Sequence, residues 1–150
     1  MSTKFFSPTR LVCAALFFLL LAGVTARAAA TDDMNLEAEL VIGTNDPHQT
    51  NGVPVTVNVA RKLSRLPLKW QYYFVINSQQ FTLAKNEYKE VSLSDACQFS
   101  VKNIGGEQVQ FALMGHGINV SKIKQSLKKG QTLVAGSNAE NSLIVLRQAD

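Results

Sequence analysis

From Leu68 onward, short runs that alternate apolar and polar side chains are broken about every nine residues by turn-forming residues, and this cadence narrows the folds open to the chain. Leu68 to Asn77 (LKWQYYFVIN) is the strongest of these runs. Its rich content of aromatic and β-branched residues suits a pleated, packed surface. Read with period two, Trp70, Tyr72, Phe74 and Ile76 share one face, and Trp70 is expected to anchor the core. The same alternation places Phe81 and Leu83, then Val91 and Leu93, then Cys97, Phe99 and Val101, and then Val109, Phe111 and Leu113 on inner faces. Turn chemistry separates the runs at Asn77-Ser78, Lys85-Asn86-Glu87, Ser94-Asp95-Ala96 and Gly105-Gly106.

The flanking segments extend the pattern. Leu36, Ala38, Leu40 and Ile42 alternate against Glu37 and Glu39, whose charges read as guards on the outer face of an edge strand. Gly43 to Pro54 (GTNDPHQTNGVP) is a loop by composition and long enough to be the first place to look for function. Val59, Ala60, Leu63 and Leu66 then fall at helical spacing, with Asn58 placed as N-cap and Pro67 as the stop, which predicts one short helix near residues 58–66. Ile118 to Leu127 reads as a strand with a slip in phase, Gln131 to Ala135 as another, and the apolar Ser142 to Arg147 as a strand covered on both faces. The expected fold is mainly β, an antiparallel β-sandwich or open barrel of about seven to eight strands with that one short helix, preceded by a cleavable signal peptide.

The signal peptide is read from the first 30 residues. Met1 to Arg10 carries Lys4 and Arg10 with no acid, the 14 residues Leu11–Val24 have no polar side chain, and Ala26-Arg27-Ala28 and Ala28-Ala29-Ala30 both fit a peptidase site. As a helix that apolar run would rise only about 21 Å, short of a bilayer core of about 30 Å. The expectation is therefore a leader at 1–30, cleaved after Ala28 or Ala30, a flexible stretch at 31–35, and a single β domain at 36–150. The mature chain is expected to be secreted or periplasmic, with no transmembrane segment left after cleavage.

Cleavage alters the balance of charge and of thiols. The whole chain is formally +4, but Lys4, Arg10 and Arg27 leave with the leader, so that twelve basic face eleven acidic side chains. A balance near neutrality gives no reason to expect nucleic acid as a partner. Cys13 also departs, leaving Cys97 as a buried small hydrophobe on a strand, with a Cys97-linked dimer or a reactive thiol as the alternatives to a monomer.

No catalytic residue, cofactor or metal is implied. The two histidines, His48 and His116, lack any ligand-pair spacing diagnostic of a metal site, and no serine sits in a nucleophile elbow. Glu37 and Glu39 share a strand face as a carboxylate pair would, and Cys97 with His116 is the only dyad that a small secreted hydrolase would have at hand. Surface contacts are instead expected at Tyr73 with Gln71, which would stack on a sugar if their face is wet and join the core if a helix covers it. The lysines Lys122, Lys124, Lys128 and Lys129 form a local basic patch, either a solvated edge guard or a contact for an anionic surface. The resulting expectation is a non-enzymatic binding or structural module of the cell envelope or extracellular space, meeting an envelope protein or polysaccharide.

Overall fold

In the computed structural model, residues 32–48, 51–115, 118–137 and 140–149 are described. The leader expected over 1–30 and the imidazole of His116 lie outside the described residues. The element order is β1 (Met34–Thr44), β2 (Val53–Pro54), α1 (Val57–Leu63), β3 (Tyr72–Leu83), β4 (Tyr88–Ser94), β5 (Cys97–Gly105), β6 (Gln108–Gly115), β7 (Ile118–Ser126), β8 (Thr132–Gly136) and β9 (Ser142–Gln148). Among the described residues these are nine strands against the seven to eight expected, the difference including the two-residue β2.

The strands form two antiparallel sheets. One runs β2-β3-β1-β9-β8, and the other is the meander β4-β5-β6-β7. The described chain thus starts in the five-stranded sheet, lays down the whole four-stranded sheet, and returns with β8 and β9. Strand β1, read from the sequence as an edge, is the central strand of its sheet, hydrogen-bonded to β3 on one side and β9 on the other. It also starts earlier than expected. Met34 opposes Leu83 and is buried, so the fold takes up residues that polarity alone assigned to a flexible stretch.

One hydrophobic core is shared by the two sheets. Leu36, Ala38 and Leu40 of β1, Leu83 of β3, Leu133 of β8, and Ile144 and Leu146 of β9 pack with Val91, Leu93, Cys97, Phe99, Val101, Val109 and Phe111 of the meander. Phe99 and Phe111 stack at its centre, with ring centroids 5.1 Å apart. Asn103 of β5 is polar and fully buried. Its amide donates to the carbonyls of Asp32 (2.6 Å) and Leu83 (3.1 Å), and its oxygen accepts from the Gly105 N–H (2.9 Å). One side chain of the four-stranded sheet therefore holds the start of the described chain and the end of β3.

A second apolar cluster lies on the opposite face of the five-stranded sheet. There Val41, Tyr73, Leu143 and Val145 pack under Val59 and Leu63 of α1, with Trp70, Leu66, Val75 and Val134 alongside. The four apolar residues Leu143 to Leu146 are all buried because Leu143 and Val145 serve this cluster while Ile144 and Leu146 serve the other. Helix α1 is seven residues long, with Val59 and Leu63 one turn apart on its buried side. Its N-cap is Thr56 rather than Asn58, and no side chain caps it. It ends at Leu63, short of Leu66, because the last turns tighten: Arg65 N–H bonds the Lys62 carbonyl and Leu66 N–H that of Leu63. Pro67 then disfavours a helical Leu66.

Of the expected inner face Trp70, Tyr72, Phe74, Ile76, Phe74 alone is buried. Leu40 pairs with Asn77 and Val41 with Val75, which leaves Ile76 as an extra residue in β3. Such a bulge shifts the phase of alternation. Tyr73 and Val75 consequently face α1, while Tyr72 and Ile76 are 40% and 43% exposed. Trp70 precedes the strand and lies against Gly43, where even a methyl group would come within 2.5 Å of its ring. A phase slip was expected in β7, and one occurs: Leu113 pairs with Ser121 and Met114 with Asn119.

Candidate functional site

The residues expected to make surface contacts are scattered. Tyr73 is buried beneath α1, and its hydroxyl donates to the Trp70 carbonyl at 3.0 Å, so its ring is packing and is not presented to a sugar. Gln71 is exposed, with its N–H donated to Asn45 Oδ1. Lys122 and Lys124 are exposed on β7, an edge strand, and Lys128 and Lys129 are exposed in the turn beyond it. Cys97 is 2% exposed, and burial pushes its thiol upward in pKa. A nucleophile requires the thiolate, and an intermolecular disulfide requires access, so this position suits neither. Among the described residues no three histidine, cysteine, aspartate or glutamate side chains gather as metal ligands would. No helix among them is long and apolar enough to cross a membrane.

The site that does emerge lies on the α1 side of the five-stranded sheet, where the apolar cluster gives way to charge. Successive outward positions of β1 carry Glu37 and Glu39, and Glu37 is directly opposite Arg147 of β9. Arg147 Nη2 approaches Glu37 Oε2 at 2.6 Å and Glu39 Oε1 at 3.6 Å. The first is a short, charge-assisted contact, and the second is too long for a hydrogen bond. Two carboxylates thus share one guanidinium, leaving a net negative charge on a sheet interior. The Glu39 side chain is 6% exposed, and its Oε2 has no hydrogen-bond partner. Arg147 Nε is likewise buried without one. Burial raises the Glu39 pKa above the ordinary 4.5, partly opposed by Arg147 and assisted by Glu37. These glutamates do not guard an edge, as β1 has none to guard. Nor do they face each other across a groove as a glycosidase pair must, being neighbours on one strand that share one arginine.

Two depressions border this cluster. The larger, about 480 Å³, is an open groove that Glu39 lines together with Val53 and Pro54 of β2, Val75 and Ile76 of β3, and the polar Thr56, Asn77 and Ser78. The smaller, about 220 Å³, is lined by Arg147 and Gln148 of β9, by Thr56, Asn58 and Val59 at the start of α1, and by Gly130 to Thr132 before and within β8. Thr56 walls both. Local structure explains the larger groove. The bulge leaves Ile76 outside the regular alternation, and β2 pairs with β3 for only two residues before the chain lifts into α1. Among the described residues, a strip of sheet on the α1 side is therefore left without a covering element.

Sequence reasoning did find Glu37 and Glu39 as a pair on one face, but it missed Arg147 and the groove. Arg147 ends an apolar strand, and nothing local indicates that β9 lies beside β1. A signal was present in Glu39 itself: a charge flanked by Ala38, Leu40 and Val41 in the most apolar part of β1. Compared with known proteins, the chain matches no family model, no curated protein and no solved structure.

Proposed function

We propose that this chain is an exported, non-enzymatic binding module of the cell envelope or extracellular space, an antiparallel β-sandwich that holds its ligand in the groove over Glu39. The observation that carries the reading is Glu39 itself, a nine-tenths buried carboxylate with one buried, unpartnered oxygen, on a side chain that lines a groove of about 480 Å³. A buried charge that lacks its hydrogen bonds weakens the fold, and such a group is accounted for when a ligand supplies the missing partner. The apolar walls with a few polar groups between them are the composition of a small-molecule site. The leader pattern at 1–30 supports export to the periplasm or beyond.

The test is amide chemical-shift mapping of the exported chain against a chemically mixed panel of small amines, acids, alcohols and sugars. Shifts confined to Val53, Thr56, Val75 and Ser78 are the expected result, and a panel that moves none of them overturns the reading. The competing hydrolase that uses Cys97 is separated by a thiol probe on native protein. Labelling only after denaturation is expected, and rapid stoichiometric labelling would restore the nucleophile.

A second reading has one observation in its favour. In the meander, Lys102 pairs with Gln110 and Gln110 with Lys124, while Ala112 pairs with Lys122, so Lys102, Lys122 and Lys124 lie on one face of the four-stranded sheet. An acidic polysaccharide of the envelope would find a row of cations there. Retention on such a polysaccharide at low salt, lost at high salt, supports this adhesion role, and no retention at low salt ends it.

A further inference from the structure

The geometry points to a primary alkylammonium compound as the ligand of the groove over Glu39, a chemical class that rests on the groove being the binding site. Three observations carry it. The first is a count of charge: Glu37 and Glu39 face one guanidinium, and among the described residues Arg147 alone pairs with them. Arg147 gives its short contact of 2.6 Å to Glu37 and stands 3.6 Å from Glu39. The uncompensated charge is therefore the one beside the groove.

The second is the vacant hydrogen-bonding capacity of that same group. Glu39 Oε2 has no partner. The terminal torsion of a glutamate is broad, so a modest rotation turns an oxygen toward the groove. An ammonium offers three donors and no acceptor. One can meet the carboxylate while the others meet polar groups of Asn77, Ser78 or Thr56 along the same lining. A carboxylate or phosphate ligand would instead add a third negative charge.

The third is the wall. Val53 and Ile76 are exposed large apolar side chains that border the groove, with Pro54 and Val75 between them. They would cover a short alkyl stem, burying apolar surface on both partners. A bare ammonium ion would leave that surface in water.

The experiment titrates the exported chain with n-butylammonium, 1-butanol and butyrate at constant ionic strength, followed by amide shifts at Val53, Thr56 and Ser78. Expected is saturable binding of n-butylammonium, at least about tenfold tighter than 1-butanol, with no binding of butyrate. Glu39→Gln keeps the shape of the side chain and removes its charge, and is expected to cut n-butylammonium affinity about tenfold while leaving 1-butanol unaffected. Because the cation prefers the ionised carboxylate, affinity in the native chain rises with pH as Glu39 ionises, and in Glu39→Gln it does not. Glu37 and Arg147 also face Glu39, and Glu37→Gln, which frees Arg147 to pair with Glu39, is expected to weaken n-butylammonium binding as well. Lys124→Gln, on the exposed edge strand of the other sheet, is the control that keeps both the affinity and its pH dependence. Equal binding of butanol and n-butylammonium, or preference for butyrate, overturns the ligand class while the groove remains a binding site. Groove shifts with none of the three, together with none from the wider panel, overturn both.

Discussion

The same strands build the two faces of the five-stranded sheet, yet the faces differ in almost every respect. Toward the four-stranded sheet, β1 and β9 present Leu36, Ala38, Leu40, Ile144 and Leu146, all sealed by a second sheet. Toward α1, they present Val41, Leu143 and Val145 at one end, and Glu37, Glu39 and Arg147 at the other. A seven-residue helix is enough to cover only part of that face. The contrast separates two tasks. The closed face supplies the apolar burial on which stability depends, and the half-covered face carries charges that weaken the fold. Polar groups held at such a cost mark the face where binding is to be sought.

The sharpest way to break this division is to remove packing from the closed face. Phe99→Ala should cost about 3–5 kcal/mol in a denaturant unfolding curve, since it deletes a fully buried ring stacked on Phe111. A loss below about 1 kcal/mol would mean that the shared core does not carry the stability assigned to it. Next comes Asn103→Leu, expected to cost about 1–3 kcal/mol because the Asp32 and Leu83 carbonyls and the Gly105 N–H lose their partner inside the protein.

The open face responds to pH instead. The folded Glu39 carboxyl holds its proton more tightly than the unfolded chain does, since burial raises its pKa. Its favourable contribution is therefore complete below the ordinary value of 4.5 and is lost as pH rises through the folded value. Glu39→Gln, which cannot ionise, should gain stability relative to the native chain as pH rises from about 4.5 toward neutrality. Melting temperatures at pH 4 and pH 7 check the sign, and a gap between the two proteins that does not widen with pH removes the case for a strained carboxylate. The smallest effect is expected at the exposed edge. Lys124→Ala should change stability by no more than about 0.5 kcal/mol, measurable against Phe99→Ala in the same buffer.

How much of this was legible in the sequence follows from the range of the interactions. The meander was readable because each strand follows its neighbour and alternation is local: Val91, Leu93, Cys97, Phe99, Val101, Val109 and Phe111 all face the core as the pattern implies. The Gly105-Gly106 turn was readable for the same reason, since its backbone needs the positive φ that Gly105, Gly106 and Glu107 adopt. What escaped depends on distant partners. The run from Tyr72 to Ile76 is aromatic or apolar at every position, so nothing in it announces that β3 bulges opposite Leu40 and Val41. The central position of β1 depends on β9 returning from the far end of the chain. The site at Glu39 is a product of that return: local alternation shows Glu37 and Glu39 on one face, and only the pairing of β1 with β9 brings Arg147 to them.

The Asn103 amide has a consequence for biogenesis. It clasps the Asp32 carbonyl, and Lys85 holds the Asp32 carboxylate at 2.7 Å. Between Asp32 and the proposed cut after Ala28 or Ala30 lie one to three residues, a tether of at most about 11 Å. If the chain is cut there, so short a leash leaves a processing enzyme little extended polypeptide to grip once β1 has docked.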